Sequence, residues 1–503
     1  MRTFTRVANM SPGLRDTGDE IDAAHINELQ QAAEDLQTGA LPIALAGIEG
    51  ALGAWAGWVN LGEYAGVDPT GSADSYTALQ AALDSIPEGA TGYLPPGTYK
   101  TSQTLKTKKH RSLVGSGIGS KILGDNVLGP IILTFDGTLD ALEPSQRFRD
   151  LAIGGTADCA ISFAHCCGTV AERIKLIDFE GVDGFRFEGL WQCEFNSLDA
   201  SNCNIGRAAF KVNKTCLDSI WRLGHTGGSG RPDFALYVDR LASDDGNMSA
   251  TSSHELHFDT FTAQAAEVVG IALVNGSQVT LTNPYTEANH IPAQIGNIAQ
   301  SNWCIQIVGG QLLGGRGAET PFDLVVNALS DLKIIGTRFY DKPLVFGNVV
   351  QDLAFVGVAG KLSTSLLSLM ERTVDSGANL PLQMIGDTEA VASITLQATG
   401  GGYKMQKMTV DGTGAWAATP TTIPLSGWRG VKSISASGLT ATLETYIAHG
   451  YTTGDSVKIE CASPKVFNGT YTITVTDATH FTYTIASTPR ESPAIGQPMV
   501  KKL

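Results

Sequence analysis

Arg147-Phe148-Arg149-Asp150-Leu151-Ala152-Ile153-Gly154 and Val170-Ala171-Glu172-Arg173-Ile174-Lys175-Leu176-Ile177 carry the same signal: two apolar side chains one residue apart, Leu151/Ile153 and then Ile174/Leu176. In an extended strand such a pair shares one face. Between about residues 110 and 375 the pair recurs as Phe195/Ser197, Ile220/Arg222, Leu256/Phe258, Val279/Leu281, Ile305/Ile307, Leu332/Ile334 and Leu353/Phe355, with a polar second member at Phe195 and Ile220. The steps between first members are 23, 21, 25, 36, 23, 26, 27 and 21 residues. Helical repeats would show amphipathic runs of about ten residues or more, and these segments do not. One strand-rich coil per step predicts a parallel β-helix solenoid, in which ten or so coils at about 4.8 Å each make a rod on the order of 50 Å long.

Ahead of the repeats, Asp19 to Gln37 reads as a helix with Ile26, Leu29, Ala33 and Leu36 on one seam, suited to a short coiled coil or to packing on its own chain. Leu41 to Val59 has the length of a membrane span, but Pro42, Glu49 and four glycines dilute it, so packing between copies of the chain is the expectation and no membrane span is assigned. No signal-peptide core follows Met1. A second helix is predicted after Asp74, with Leu79, Ala82, Leu83 and Ile86 on one face and Pro87 and Gly89 as its stop. Beyond about residue 400, Tyr471-Ile473-Val475 and Phe481-Tyr483-Ile485 alternate around Asp477-Ala478-Thr479-His480, a hairpin within a small antiparallel β-domain.

Composition narrows the function classes. The 503 residues include 57 Gly and only 17% charged residues, and the formal charge is −15. That balance excludes a disordered, charge-rich chain and argues against a nucleic-acid partner, whose backbone is bound by Lys and Arg. The eight cysteines form no CxxC pair and no zinc spacing, and read as buried reduced thiols of a chain folded in a reducing cytosol.

Tyr64 to Ile122 resembles the start of the pectate-lyase-like β-helix of bacteriophage tailspikes. The matching residues are Gly66-Val67-Asp68-Pro69-Thr70-Gly71, then Asp74-Ser75 leading into Leu79-Gln80-Ala81-Ala82, then Leu94-Pro95-Pro96-Gly97-Thr98-Tyr99 and Val114-Gly115-Ser116-Gly117. Residues 448 to 485, with His449-Gly450, Thr453-Gly454-Asp455 and Phe467-Asn468-Gly469-Thr470-Tyr471, look like a small β-module of phage structural proteins. The resemblance implies a homotrimer of a mainly β, right-handed parallel β-helix chain. Residues 1–62 would be a helical region docking on the phage tail or an adaptor protein, 63–399 the β-helix that meets a host glycan, and 400–503 a β-sandwich-like domain for trimerisation or receptor contact. The matching motifs are capping elements, so the resemblance leaves catalysis open.

A solenoid stacks equivalent positions in columns. With the first member of each pair inward, the residue before it forms the column Asp150, Arg173, Glu194, Ser219, Glu255, Gln278, Cys304, Asp331, Asp352, and the residue after it forms Ala152, Lys175, Asn196, Trp221, His257, Thr280, Gln306, Lys333, Ala354. Glu194, Glu255, Trp221 and His257 then share one patch. Glycoside hydrolysis needs two carboxylates about 5–5.5 Å apart for retention or about 6.5–9.5 Å for inversion. Glu194 and Glu255, nominally two coils apart, approach the inverting separation, with Asp259 and Glu287 as further acids. An extra coil hidden in the 36-residue step would move Glu194 out of reach. Trp221 and Tyr285 would stack on sugar, and His257 would donate a hydrogen bond. The bland alternative is a solvated acidic face.

No metal site is assigned. His254-Glu255-Leu256-His257 is not HExxH and its histidines would face opposite sides of a strand, while Asp244-Asp245-Gly246-Asn247 reads as a polar turn. Gly115-Ser116-Gly117-Ile118-Gly119 is a turn, and there is no GxSxG elbow. The expectation is a cofactor-free phage tailspike or tail fibre, assembled in the host cytoplasm and carried on the virion tail. It would bind a host surface polysaccharide, with depolymerisation by a carboxylate pair as its enzymatic form. The alternatives are a non-catalytic fibre of the same shape and, less favoured, a polysaccharide lyase, for which Arg173 and Lys175 lack an accompanying acidic cluster.

Overall fold

The computed structural model describes residues 57–503 apart from 109, 135–142, 145, 214–215, 223, 225, 228–230, 240–253, 275–276, 297–302, 315–323, 327–328, 447 and, from 340 to 427, the segments between the strands named below. The expected helix over 19–37, most of the apolar stretch after it, and Asp244 to Asn247 lie outside the described residues.

The chain winds as a parallel β-solenoid. Its first sheet begins with Trp58–Asn60, Thr91–Tyr93 and Ser112–Val114 and takes in the starts of the long strands Arg147–Ala164 and Val170–Glu188. It continues through Glu194–Asp199, Ile220–Arg222, His254–Asp259, Ser277–Thr282, Trp303–Val308, Leu329–Ile335, Val350–Val356 and Asn379–Ile385. A second sheet, opening with Thr70–Asp74, Gly97–Thr101 and the start of Ser120–Leu133, later runs through Thr262–Gln264, Tyr285–Asn289, Gln311–Gly314 and Arg338–Phe339. In the middle of the rod, the third sheet contains Asn204–Asn213, Phe234–Val238, Val269–Leu273, Ile291–Ile295 and Leu324–Val326.

The N-terminal end is closed by the predicted helix, Tyr76–Ser85, with Leu79, Ala82 and Leu83 buried. Asp74 Oδ1 accepts the Tyr76 N–H at 3.0 Å, and Ser75 rather than Asp74 is the residue at the cap. The Gln80 amide accepts the Lys106 N–H at 2.8 Å and donates to the Lys106 carbonyl at 3.0 Å. It thereby occupies backbone groups of strand Leu105–Lys106 that would otherwise present an open sheet edge. Just before the helix, the Asp68 carboxylate takes hydrogen bonds from the Ala73 N–H, the Thr70 hydroxyl and the Thr70 N–H, which hold its pKa at about 2.

Inside, equivalent positions form aromatic ladders. Phe148, Ala171, Phe195, Trp221, Phe258, Leu281, Ile307 and Ile334 are one column of the first sheet. Trp221 stacks on Phe195 at 5.3 Å and on Phe258 at 4.7 Å. Phe163 stacks on Phe187 at 5.5 Å with only 7° between the rings.

This register corrects the sequence-based one. Two corners of successive coils hold residues with left-handed backbone, most of them not glycine. The corner before the first sheet carries Gly168, Gln192, Asp218, Glu255, Gln278 and Cys304, and the corner after it carries Asp150, Arg173, Ser197, Thr260, Asn283, Gly309 and Gly336. Taking the first member of every pair as equivalent therefore merged separate columns: Asp150 and Arg173 belong to the later corner, Glu255, Gln278 and Cys304 to the earlier one, and Glu194 to the sheet face between them. At Ile220-Trp221 it is Trp221 that points inward, because its neighbours above and below are Phe195 and Phe258. The 36-residue step hides no extra coil, since Ile220–Arg222 pairs directly with the strand carrying His257 to Asp259.

Close backbone approach fixes some positions as glycine. At Gly155 φ is +83° and a Cβ would sit 2.0 Å from the Gly124 carbonyl oxygen. Left-handed strain and the clash together predict that Gly155→Ala lowers the unfolding free energy by about 2–4 kcal/mol. Chemical denaturation of the purified variant checks this, and an unchanged midpoint would contradict the observed approach of these two coils.

The C-terminal unit is a seven-stranded antiparallel sheet curled barrel-like, in the order Gly469–Thr472, Ser456–Ser463, Ile495–Lys502, Trp428–Ser437, Thr440–Thr445, His480–Thr484, Thr474–Val475. It starts at Trp428, later than 400. The strands Val391–Thr399, Gly402–Val410 and Trp416–Thr422 instead extend the solenoid's last strand, Asn379–Ile385, as an antiparallel meander. The hairpin is present, with Thr474 opposite Thr482 and Val475 opposite Phe481. This unit packs on the outer face of the third sheet, where Ala208, Phe234, Tyr237, Val269, Ala272 and Ile291 meet Trp428, Cys461 and Met499. That contact explains why both faces of Phe234–Val238 are apolar.

Candidate functional site

Three of the expected site residues lie on the outer face of the first sheet. Glu194, Ile220 and His257 are in register across three successive coils, with Asn196, Arg222 and Asp259 in the next outward column. Glu194 is exposed, and its Oε2 accepts from Arg222 Nη1 at 3.1 Å. His257 is exposed and Asp259 half-buried. Glu255 is not in this column. It sits at the preceding corner, where Asp218 is its equivalent one coil earlier.

The structure brings Glu255 and Asp218 together rather than Glu255 and Glu194. Hydrogen bonding to Asp218 and the Asp218 charge raise the pKa of the exposed Glu255, with a smaller contribution from burial and a lowering contribution from His257. Neighbouring carboxylates repel each other as anions, which disfavours ionising both at once. Trp191, at the same corner, is 41% exposed and donates its Nε1–H to Asp218 Oδ2 at 3.1 Å. Cys167, Trp191 and Leu217 pair as isolated bridges, which holds the Trp191 backbone in the coil stack while its ring faces solvent. A solvent-facing indole beside the Asp218 carboxylate, with Glu255 at the same corner one coil on, offers stacking surface and hydrogen-bonding groups together.

Trp221, expected as the stacking face for sugar, is 2% exposed and lies within the ladder of Phe195 and Phe258. Its ring is unavailable to a ligand. Trp191 and Asp218 were missed for the same reason. Once Trp221 is placed inward, Asp218 and Glu255 both fall three residues before the ladder position, and Trp191 falls four before Phe195.

Glu287 and Tyr285 are elsewhere, on the second sheet. Tyr285 Oη donates to Glu287 Oε2 at 3.0 Å and Gln264 Nε2 donates to the same oxygen at 3.2 Å. Glu287 lines a cleft of 930 Å³ between the solenoid and the C-terminal unit, with Arg231, Glu267, His290, Glu460, Lys465 and Tyr471 among its other walls. Two cross-domain pairs frame this cleft: His290 Nε2 to Glu460 Oε2 at 2.6 Å, and Lys465 Nζ to Glu267 Oε2 at 3.1 Å. Among the described residues no group of three or more His, Cys, Asp or Glu has the arrangement of a metal site. Six of the eight free cysteines are buried, and burial raises the Cys166 thiol to about 11. No helix among the described residues is long and apolar enough to cross a membrane.

Comparison with known proteins bears on the fold. Residues 58–127 match the family model for rhamnogalacturonase A/epimerase, pectate lyase-like. The chain is a parallel β-helix, and its first coils, residues 58–127, resemble that family. Similar solved structures include the A-module of the mannuronan C-5 epimerase AlgE4 of Azotobacter vinelandii, at 16% identity and TM-score 0.46 over 63% of this chain and 100% of that one. A tailspike protein of Escherichia coli bacteriophage HK620 is similar at 11% identity and TM-score 0.43, over 89% of this chain and 93% of that one. The catalytic unit of a GH87 α-1,3-glucanase of Streptomyces thermodiastaticus is similar at 14% identity and TM-score 0.42, over 66% and 68%. No curated protein sequence matches.

Proposed function

We propose that this chain is a polysaccharide-binding β-helix of the tailspike kind, recognising a bacterial surface glycan along the corner that carries Trp191, Asp218 and Glu255. The observation that supports this most is the exposed Trp191 ring hydrogen-bonded to Asp218, the carboxylate that raises the pKa of Glu255 at the same corner. Glycan recognition uses such combinations because a sugar ring presents an apolar face to an aromatic ring and hydroxyls to carboxylates. Glu194, Arg222, His257 and Asp259 on the adjoining sheet face extend the surface for neighbouring sugar units. The reading includes a homotrimer on a phage tail, attached through the N-terminal region to the tail or an adaptor protein.

The enzymatic form of this reading makes Glu255 the proton donor to a glycosidic oxygen, the role that a carboxyl group with a raised pKa suits. Asp218 acts on the protonation of Glu255, and the second carboxylate is sought at Glu194 or Asp259. The test is incubation of the purified chain with surface polysaccharides of candidate hosts, following chain length and new reducing ends. Cleavage lost in Glu255→Gln with binding retained supports the hydrolase. Ultraviolet-absorbing unsaturated ends would replace it with a lyase, and binding without shortening leaves an adhesin. Absence of binding to any candidate glycan overturns the reading. For a cleaving protein, Asp218→Asn removes the charge that raises Glu255, so the alkaline limb of the pH–rate profile is expected to move to lower pH. An unmoved limb would exclude Glu255 as the acid.

A further inference from the structure

The cleft between the solenoid and the C-terminal unit is separate from the Trp191 corner, and most of its charged groups are already paired. Glu460 accepts His290 on one oxygen and Lys458 on the other, at 2.6 and 2.9 Å. Glu267 holds Lys465. The Asn289 side chain is buried and bonded to the backbone of Ala266 and Ala263, and Asn468 is bonded to both polar groups of Ala462. These contacts build the walls and fix how far apart the two domains stand.

Two groups are left to face a ligand. Glu287 has both donors, Tyr285 Oη and Gln264 Nε2, on the oxygen Oε2, and among the described residues no donor reaches Oε1. Its carboxylate is therefore clamped in one orientation with one acceptor presented to the cleft. Arg231, exposed at the cleft wall, has no ion pair or hydrogen bond among the described residues. A lone anion would satisfy Arg231 and leave Glu287 repelling it; a lone cation would do the reverse. A polyol donates to the carboxylate and accepts from the guanidinium at once. Val466, Ala486 and the Tyr471 ring supply the apolar surface that the CH faces of a sugar require. At 930 Å³ the cleft is at the upper end of the range of about 300–1,000 Å³ typical of ligand sites, and domain interfaces are where such sites concentrate.

We infer that this cleft is a second oligosaccharide-binding site, in which Glu287 and Arg231 take the hydroxyls of one sugar unit while Tyr471 and Ala486 border its ring. The inference rests on the polysaccharide reading of the chain and adds a second point of hold on the same glycan. Two sites on one chain make the binding of a long glycan bivalent, so its avidity exceeds that of either site for a short fragment.

Equilibrium dialysis of the full chain against labelled oligosaccharides from the surface polysaccharides of candidate hosts tests this. Two sites per chain are expected. Arg231→Ala, an exposed change that leaves the fold intact, and Ala486→Trp, which fills the cleft mouth without removing a polar group, should each weaken one site at least tenfold and leave the other unaltered. Trp191→Ala should remove only the other site. A single site abolished by Trp191→Ala and indifferent to Arg231→Ala and Ala486→Trp overturns the cleft proposal and leaves the corner reading standing. A single site abolished by the cleft variants supports the cleft and overturns the corner. No binding by the wild-type chain overturns both.

Discussion

Asp183→Ala is expected to lower the unfolding free energy by about 3–5 kcal/mol, the range for breaking a buried ion pair by removing one partner. The Asp183 side chain is fully buried, and it accepts Arg186 Nε at 2.6 Å and Arg207 Nε at 2.8 Å. Arg186 continues to Asp158 at 2.6 Å, and Arg207 to Glu491 of the C-terminal unit at 3.1 Å. Removing the central anion leaves two guanidinium groups that are only 15% and 12% exposed, with the buried Lys211 amine beside them. Glu491→Gln, at the 31% exposed end of the same chain of charges, should cost about 1 kcal/mol or less. Urea unfolding at fixed protein concentration separates the two cases. A loss below about 1 kcal/mol for Asp183→Ala would mean that water or a rearranged acid replaces the carboxylate.

The same residue sets an acid limit. Burial would raise the Asp183 pKa, but the hydrogen bond from Arg207 and the charges of Arg186 and Arg207 outweigh it and hold the group at about 2. The folded value is thus below the unfolded value of about 3.9, so the stabilisation is complete above roughly pH 4 and is lost as pH falls through about 2. In Asp183→Asn the corresponding stretch of the stability–pH curve should be flatter than in the wild type.

How much could be read from the sequence divides along one physical line. Local chemistry was legible: the helix over Tyr76–Ser85, its buried face of Leu79, Ala82 and Leu83, and the hairpin around Asp477 follow from capping, periodicity and turn residues. The solenoid itself was legible because its coil spacing recurs. The column assignment was not, because it depends on where each coil turns its corner. Those corners are held by Gln192, Asp218, Glu255, Thr260 and Gln278 in left-handed conformation, and such residues rarely adopt it alone. The stack imposes it, each coil resting on the one before. A two-residue pattern gives no sign of such a corner, so Asp150, Glu194 and Glu255 fell into one apparent column although they occupy three. Ile220-Trp221 was ambiguous for a second reason: both side chains suit a core, and only the rings of Phe195 and Phe258 in neighbouring coils decide between them.

That decision yields the sharpest contrast between two tryptophans thirty residues apart in the chain. Trp221→Ala is expected to lower stability by about 3–5 kcal/mol, because it opens a cavity between Phe195 and Phe258 in a ladder that cannot collapse without shortening the coil spacing. Trp221→Phe should cost only about 1 kcal/mol, since the column already accepts phenyl rings and the buried Trp221 Nε1–H has no hydrogen-bond partner among the described residues. Trp191→Ala should leave stability within about 0.5 kcal/mol of the wild type, as its ring is exposed. Glycan affinity should respond in the opposite order: Trp191→Ala weakens binding about tenfold or more, near 1.4 kcal/mol, while Trp221→Phe leaves it unchanged. Denaturant midpoints and glycan titrations on the three variants give both orders. Suppose instead that Trp221→Phe abolished binding while circular dichroism reported a native sheet, and Trp191→Ala bound normally. The ligand would then have to reach the inner face of the first sheet, and the corner formed by Trp191, Asp218 and Glu255 would be an ordinary polar edge of the solenoid.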